Sequence, residues 1–208
     1  MKSKVLLMCV LGCLVVSVGF SQQTKEYYEG GQLKAEGLLR DKLKTGIWKY
    51  YFPNQKVSAL EEYHVGKLHG TVKYYEESGT LIGLEKWKKD LLQDTAYYYH
   101  NNGRLHKKGS YLDGAYVGEW VYYHENGQFE RSISYEDGLP HGDWKVLNDK
   151  GIVIQEGQYK NGQESGDWKF YREDGSLSFL GVYNNGKRVG DWYEVTPKGK
   201  KKKVKNPS

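Results

Sequence analysis

Three features of these 208 residues predict an all-β fold, an elongated single layer of about seven 24-residue antiparallel β-hairpins. A glycine returns at the same place in almost every 24 residues. Tryptophan and tyrosine keep fixed places inside that period. Asn-Gly and Asp-Gly pairs, the residues of tight hairpin turns, stand between runs that alternate in polarity. Composition agrees, with 26 glycines and 19 tyrosines against 4 prolines and 2 methionines. Aromatic residues at 14% are too many for a disordered chain.

Residues 1–21 read as an export signal. Lys2 and Lys4 precede an apolar run from Val5 to Phe20, and Gly19-Phe20-Ser21 offers small residues before a cut after Ser21. As a membrane anchor the run would reach only about 24 Å, short of a bilayer core of about 30 Å. A lipoprotein reading through Cys13 would place Leu14-Val15-Val16 directly after the modified residue. Export predicts a periplasmic, envelope-associated or secreted protein. Cys9 and Cys13 both fall in this segment, so the rest of the chain has no disulfide, thiolate metal site or cysteine nucleophile.

Residues 22–197 form the array. Cutting after Gly46, Gly70, Asp94, Gly118, Gly142, Gly166 and Gly190 gives intervals of 24 residues. Trp48, Trp120, Trp144, Trp168 and Trp192 share one phase. Tyr63, Tyr111, Tyr135, Tyr159 and Tyr183 share another, with Trp87 in the same slot. With Asp174-Gly175 as a two-residue turn, Phe170 faces Phe179 and Trp168 faces Gly181, which gives the indole room. Trp144 faces Gly157 in the same way. This register puts Trp168, Phe170, Leu177, Phe179 and Tyr183 on one core-like face. Lys169, Tyr171, Ser178 and Leu180 fall on the other, half-wet face.

Residues 198–208 read as a basic, disordered tail. Lys198, Lys200, Lys201, Lys202, Lys203 and Lys205 stand there with Val204 as the one apolar residue. The chain carries a formal +5, and discounting these six lysines together with Lys2 and Lys4 leaves residues 22–197 at −3. The basic character therefore belongs to the tail, and nucleic acid is not an expected partner. The tail could instead be drawn to an anionic membrane surface.

The repeated Gly-x-Trp-x-Tyr-Tyr-x-x-x-Gly-x-Leu…Tyr-x-x-Gly-x-x-x-Gly pattern resembles the MORN-type repeat, in the bacterial variant of YwqK-type antitoxin proteins. The resemblance covers about residues 24–199. It implies consecutive hairpins and an interaction or membrane-associated scaffold, and it brings no catalytic residues. Unit 71–94 departs from the pattern at Val72, Asp90 and Asp94.

No catalytic constellation stands out, and no cofactor is expected. His64, His69, His100, His106, His124 and His141 lack metal-ligand spacing and read as exposed residues beside turns. Glu119, Asp143, Asp167 and Asp191 repeat before or near the tryptophans at about 10 Å, and read as a solvated ladder. For binding, Tyr51, Tyr75, Tyr99, Tyr123 and Tyr171 form one column on the half-wet face, where an apolar ring with a polar tip suits a partner. The expected function is a non-catalytic envelope or secreted scaffold that binds a protein or a surface polymer. Neutralisation of a partner toxin is the alternative.

Overall fold

The computed structural model describes residues 21–205. The predicted signal lies outside them except for Ser21, which opens the first strand. Sixteen strands follow. They are β1 (Ser21–Tyr27), β2 (Leu33–Arg40), β3 (Leu43–Tyr51), β4 (Val57–His64), β5 (Lys67–Tyr75), β6 (Leu81–Lys88), β7 (Leu91–Tyr99) and β8 (Leu105–Leu112). They continue as β9 (Ala115–Tyr123), β10 (Phe129–Glu136), β11 (Leu139–Leu147), β12 (Val153–Lys160), β13 (Gln163–Tyr171), β14 (Leu177–Asn184), β15 (Lys187–Val195) and β16 (Lys201–Val204). All lie in one antiparallel sheet in sequence order. The expected fold class is therefore observed, as eight hairpins, because the incomplete first and last units also form pairs.

Two kinds of turn alternate along the chain. At Asp113-Gly114, Asp137-Gly138, Asn161-Gly162 and Asn185-Gly186 both residues have positive φ, as a primed two-residue turn requires. At Asn102-Gly103, Asn126-Gly127 and Asp174-Gly175 only the glycine does. There the loop is longer: Gly175 N–H donates to the Arg172 carbonyl (2.8 Å) and Arg172 N–H to that of Ser176 (2.8 Å). The extra residue shifts the ladder by one. Leu177 pairs with Tyr171 instead of Arg172, while Phe170–Phe179 and Trp168–Gly181 keep the expected pairing.

The glycine that marks the period is the seat of a bulge. Gly166 has φ +71°, and in the β12–β13 ladder the pairing jumps from Glu156–Lys169 to Gln158–Ser165. One residue, Gly157, thus stands against three, Gly166, Asp167 and Trp168. Asp94 keeps φ at 58° in the equivalent place, which aspartate tolerates better than most side chains.

That bulge decides what lies under each indole. A Cβ on Gly157 would fall 2.2 Å from a ring carbon of Trp168, and a Cβ on Gly181 would fall equally close to Trp192. Each tryptophan therefore covers the glycine eleven residues before it, on the preceding strand, and not the residue paired with it on the following one. Trp48 over Gly37 and Trp120 over Gly109 follow the same rule. All four indoles are at most 1% exposed. All four donate Nε1–H to a backbone carbonyl: Trp48 to Leu38, Trp120 to Ser110, Trp192 to Val182 and Trp168 to Ser165, at 3.0–3.3 Å. Trp144 meets Ile133 in that place; it is only half-buried, and its Nε1 has no partner among the described residues.

The basic end differs from the expected disordered tail. Lys201–Val204 complete the sheet, with Val204 opposite Trp192 and Lys203 opposite Tyr193. A turn closed by Gly199 N–H to the Thr196 carbonyl (2.8 Å) returns the chain to the open edge of β15, whose backbone groups pair with it.

Candidate interaction surface

Each strand shows alternate residues to opposite sides, so the sheet has two faces of different chemistry. In its carboxyl-terminal half the tryptophan face is an aromatic ladder. Trp168 contacts Tyr159, Tyr183 and Phe170 with ring centroids 5.4–6.0 Å apart, and Tyr183 passes the stack on to Trp192 at 5.0 Å. Cations cover it from outside, Lys44 over Trp48 (4.2 Å) and Arg188 over Trp192 (4.2 Å). With no second layer above among the described residues, these contacts are what keep water from the indoles.

In two units the glycine–tryptophan pair is replaced on both sides at once. Glu61 stands in the glycine place with Val72 in the indole place, and Glu85 stands with Ala96. A long side chain fills the volume that the small residue leaves. Glu85 is 7% exposed and accepts from Tyr98 Oη (2.6 Å) and Trp87 Nε1 (2.9 Å). Glu61 accepts from Tyr63 Oη (2.6 Å), Tyr63 contacts Tyr50 Oη (3.1 Å), and Lys44 donates to Tyr50 (2.8 Å). Burial, together with the neighbouring hydroxyls and carboxylates, pushes the Tyr50, Tyr74 and Tyr98 phenols far up, and the Tyr63 phenol up to about 12. These tyrosines stay protonated and donate, which is what an unpaired buried carboxylate needs.

The other face carries the predicted tyrosine column. Tyr51, Tyr75, Tyr99, Tyr123 and Tyr171 are all half-buried there. Tyr171 Oη donates to Glu156 (2.8 Å) and Tyr51 Oη donates to Glu36. Burial and these bonds raise both phenols to about 12. Tyr123 lies edge-on to Phe129 with centroids 6.4 Å apart. Tyr75 lines a groove of about 550 Å³ with Lys49, Lys56, Val57 and Leu60. The column is thus placed together, but part of its polar capacity is spent inside the sheet.

The tail lysines stand at the last edge of the sheet. Lys203 pairs with Asp191 (2.6 Å), and Lys201 lies over the Tyr193 ring (5.9 Å). Lys198 and Lys200 belong to the turn before β16, and Lys205 follows that strand. Two of the histidines expected to be exposed are half-buried staples between turns. His100 Nε2 donates to the Tyr123 carbonyl (2.8 Å) and His124 Nε2 to that of Leu147 (2.9 Å). The turn-forming Asn102 and Asn126 bond to Glu125 and Asp149 of the next turn in the same manner, each 23 residues on.

A row missed by the sequence reading runs beside the tyrosines. Ladder pairing joins Glu36, Lys49, Leu60, Lys73, Leu84, Tyr97 and Lys108 in succession across seven strands. It continues through Val121, Ser132, Lys145, Glu156, Lys169 and Leu180 to Tyr193. The signal was available, since Lys49, Lys73, Lys145 and Lys169 each follow the tryptophan place by one residue. The predicted carboxylate ladder is exposed on this face, with Gln158 donating to Asp143 (3.1 Å). Among the described residues no cluster of three or more His, Cys, Asp or Glu could hold a metal ion, and no helix is long and apolar enough to cross a membrane.

A family model described as the MORN repeat variant matches four segments, residues 23–41, 68–89, 116–137 and 140–161. These four segments are similar to MORN-variant repeats. No curated protein matches. Among solved structures, the "Crystal Structure of TcdB2-TccC3" aligns at 10% identity and a TM-score of 0.23, covering 84% of this chain and 12% of that one. The same assembly without its hypervariable C-terminal region aligns at 11% identity and a TM-score of 0.20, with 85% and 13% covered. The chain thus spans about an eighth of the length of those proteins.

Proposed function

We propose that this protein is a non-catalytic scaffold of the cell envelope or secreted space that binds a protein or a surface polymer along the tyrosine–lysine face. The observation that supports this most is the unbroken row from Glu36 to Tyr193, which repeats one half-exposed strip across the whole sheet. Repeat arrays bind along such extended faces because neighbouring units present equivalent groups in register. The tryptophan face suits this role less, since its large rings are already covered by their own neighbours. Export through residues 1–21 would bring the face to envelope polymers and exported proteins. Capture from the envelope fraction with the affinity-tagged protein tests the reading, with Tyr75→Ser/Tyr171→Ser as the comparison. A captured partner that the double substitution weakens supports it; capture indifferent to that face sinks it. A single toxin-like protein held in fixed proportion would select the neutralising role instead.

A further inference from the structure

The geometry points to a docking groove for an acidic amphipathic helix on the amino-terminal half of the tyrosine–lysine face, with Leu60 at its centre. This rests on the scaffold reading and narrows it to one region and one partner chemistry. The groove of about 550 Å³ beside Leu60 is lined by Lys49, Lys56, Val57 and Tyr75. A second depression of about 260 Å³ lies on the other side of Leu60, against Ile47, Glu62, Thr71 and Lys73. Ile47 is 67% exposed. The apolar floor is therefore continuous, with lysines on both flanks.

The two halves of the face differ in how their charges are satisfied. In the carboxyl-terminal half Lys145 pairs with Glu156 (3.1 Å), and Lys169 lies opposite the same glutamate. Asp143, Asp167 and Asp191 stand in the next row. In the amino-terminal half Lys49, Lys73 and Lys108 form no ion pair among the described residues, although Lys49 lies opposite Glu36 and over the Tyr51 ring (5.3 Å), and Lys86 meets only the Thr71 hydroxyl (2.6 Å). The one carboxylate in the depression, Glu62, already accepts from Thr71 N–H (3.0 Å). An acidic partner would supply what these lysines lack.

Spacing selects the partner's conformation. Lys49, Leu60, Lys73 and Leu84 lie on successive strands, hence about 4.8 Å apart. Residues three or four apart on one helix face rise about 5 Å, so an alternation of acid and apolar residues at i, i+3, i+7 and i+10 stays in step. An extended peptide repeats its face every 6.6 Å or so and falls out of step by more than one strand over four positions. From Lys49 to Lys108 the row spans about 24 Å, or about 16 helical residues.

Fluorescence anisotropy with an 18-residue labelled helical peptide tests this, with Glu and Leu on that pattern and a Lys-for-Glu version as its counterpart. The acidic peptide should bind more tightly than the basic one. Lys49→Glu/Lys73→Glu should weaken it about tenfold, while Lys145→Glu/Lys169→Glu should leave it within about twofold. Lys49→Gln/Lys73→Gln should give a smaller loss, and β-sheet circular dichroism should be unchanged throughout. Equal binding of the two peptides, or equal losses from both lysine pairs, overturns the proposal. So do phosphatidylglycerol vesicles that bind through Lys49 and Lys73 and are not displaced by the peptide. Failure of the peptide while a partner is still captured through Tyr171 would overturn the groove and leave the scaffold reading standing.

Discussion

The unit centred on Trp168 and the unit centred on Ala96 solve one packing problem in opposite ways. In the first, a large indole lies over a residue without a side chain, and Gly157 must be glycine because Trp168 occupies its Cβ space. In the second, Ala96 leaves that volume empty and Glu85 fills it from the facing strand, held by Tyr98 and Trp87. Trp144 shows what happens when only one partner changes. Ile133 takes the glycine place, the indole stays half-exposed, and its Nε1 finds no acceptor among the described residues. The lesson is that two positions eleven residues apart pack as a pair: where both change together the face stays closed, and where only one changes the indole is left half-exposed.

The largest effects should come from breaking the glycine–indole pair. Trp168→Ala should cost about 3–5 kcal/mol in urea unfolding, whereas Trp144→Ala should cost about 1–2 kcal/mol. Equal losses would mean the bulge does not control burial. Gly157→Val should cost about 1–3 kcal/mol or more by overpacking against the ring. Gly157→Glu combined with Trp168→Val should lose at least about 1 kcal/mol less than the two singles summed, because it transplants the other solution. Strict additivity would show that the two units do not share one logic.

Glu85→Ala should cost about 1–3 kcal/mol, since it strands the Tyr98 and Trp87 donors in a buried place. Matching stability for Glu85→Ala and an exposed Glu125→Ala control would remove the carboxylate from the core argument.

The phenols give a pH signature. Tyr51, Tyr63, Tyr122 and Tyr171 are raised from 10.0 to about 12 in the fold, with burial as the leading cause. A raised phenol favours the protonated, folded state. This stabilisation is complete below about pH 10 and is lost as pH climbs through 10 to 12. Absorbance near 295 nm should therefore show delayed tyrosinate formation that ends together with loss of the β-sheet signal. Ionisation of all tyrosines near pH 10 with the sheet intact would contradict it.

The smallest effect is expected at the end of the sheet. Ending the chain after Gly199 should lower stability by about 1 kcal/mol and shift Trp192 emission to longer wavelength, since β16 supplies one short ladder and Val204. An unchanged Trp192 spectrum would return residues 201–204 to the solvated tail read from composition.

By itself the sequence determined the period, the antiparallel hairpins and the pairing of Trp168 with Gly181 and Phe170 with Phe179, because turn residues and period-2 alternation act locally. The tyrosine column was legible for the same reason. Only the tertiary structure decided which glycine lies under which indole, because the bulge at Gly166 sets one residue against three and moves Trp168 from Gly181 onto Gly157. It also decided that Glu61 and Glu85 serve the core and that Lys49, Leu60 and Lys73 form one strip. Those neighbours come from different hairpins, and composition gives no register between them. The basic end was misread for a related reason. Lysine-rich residues look unable to pack, but at the open edge of β15 the backbone supplies the bonds and Val204 needs only Trp192 beside it.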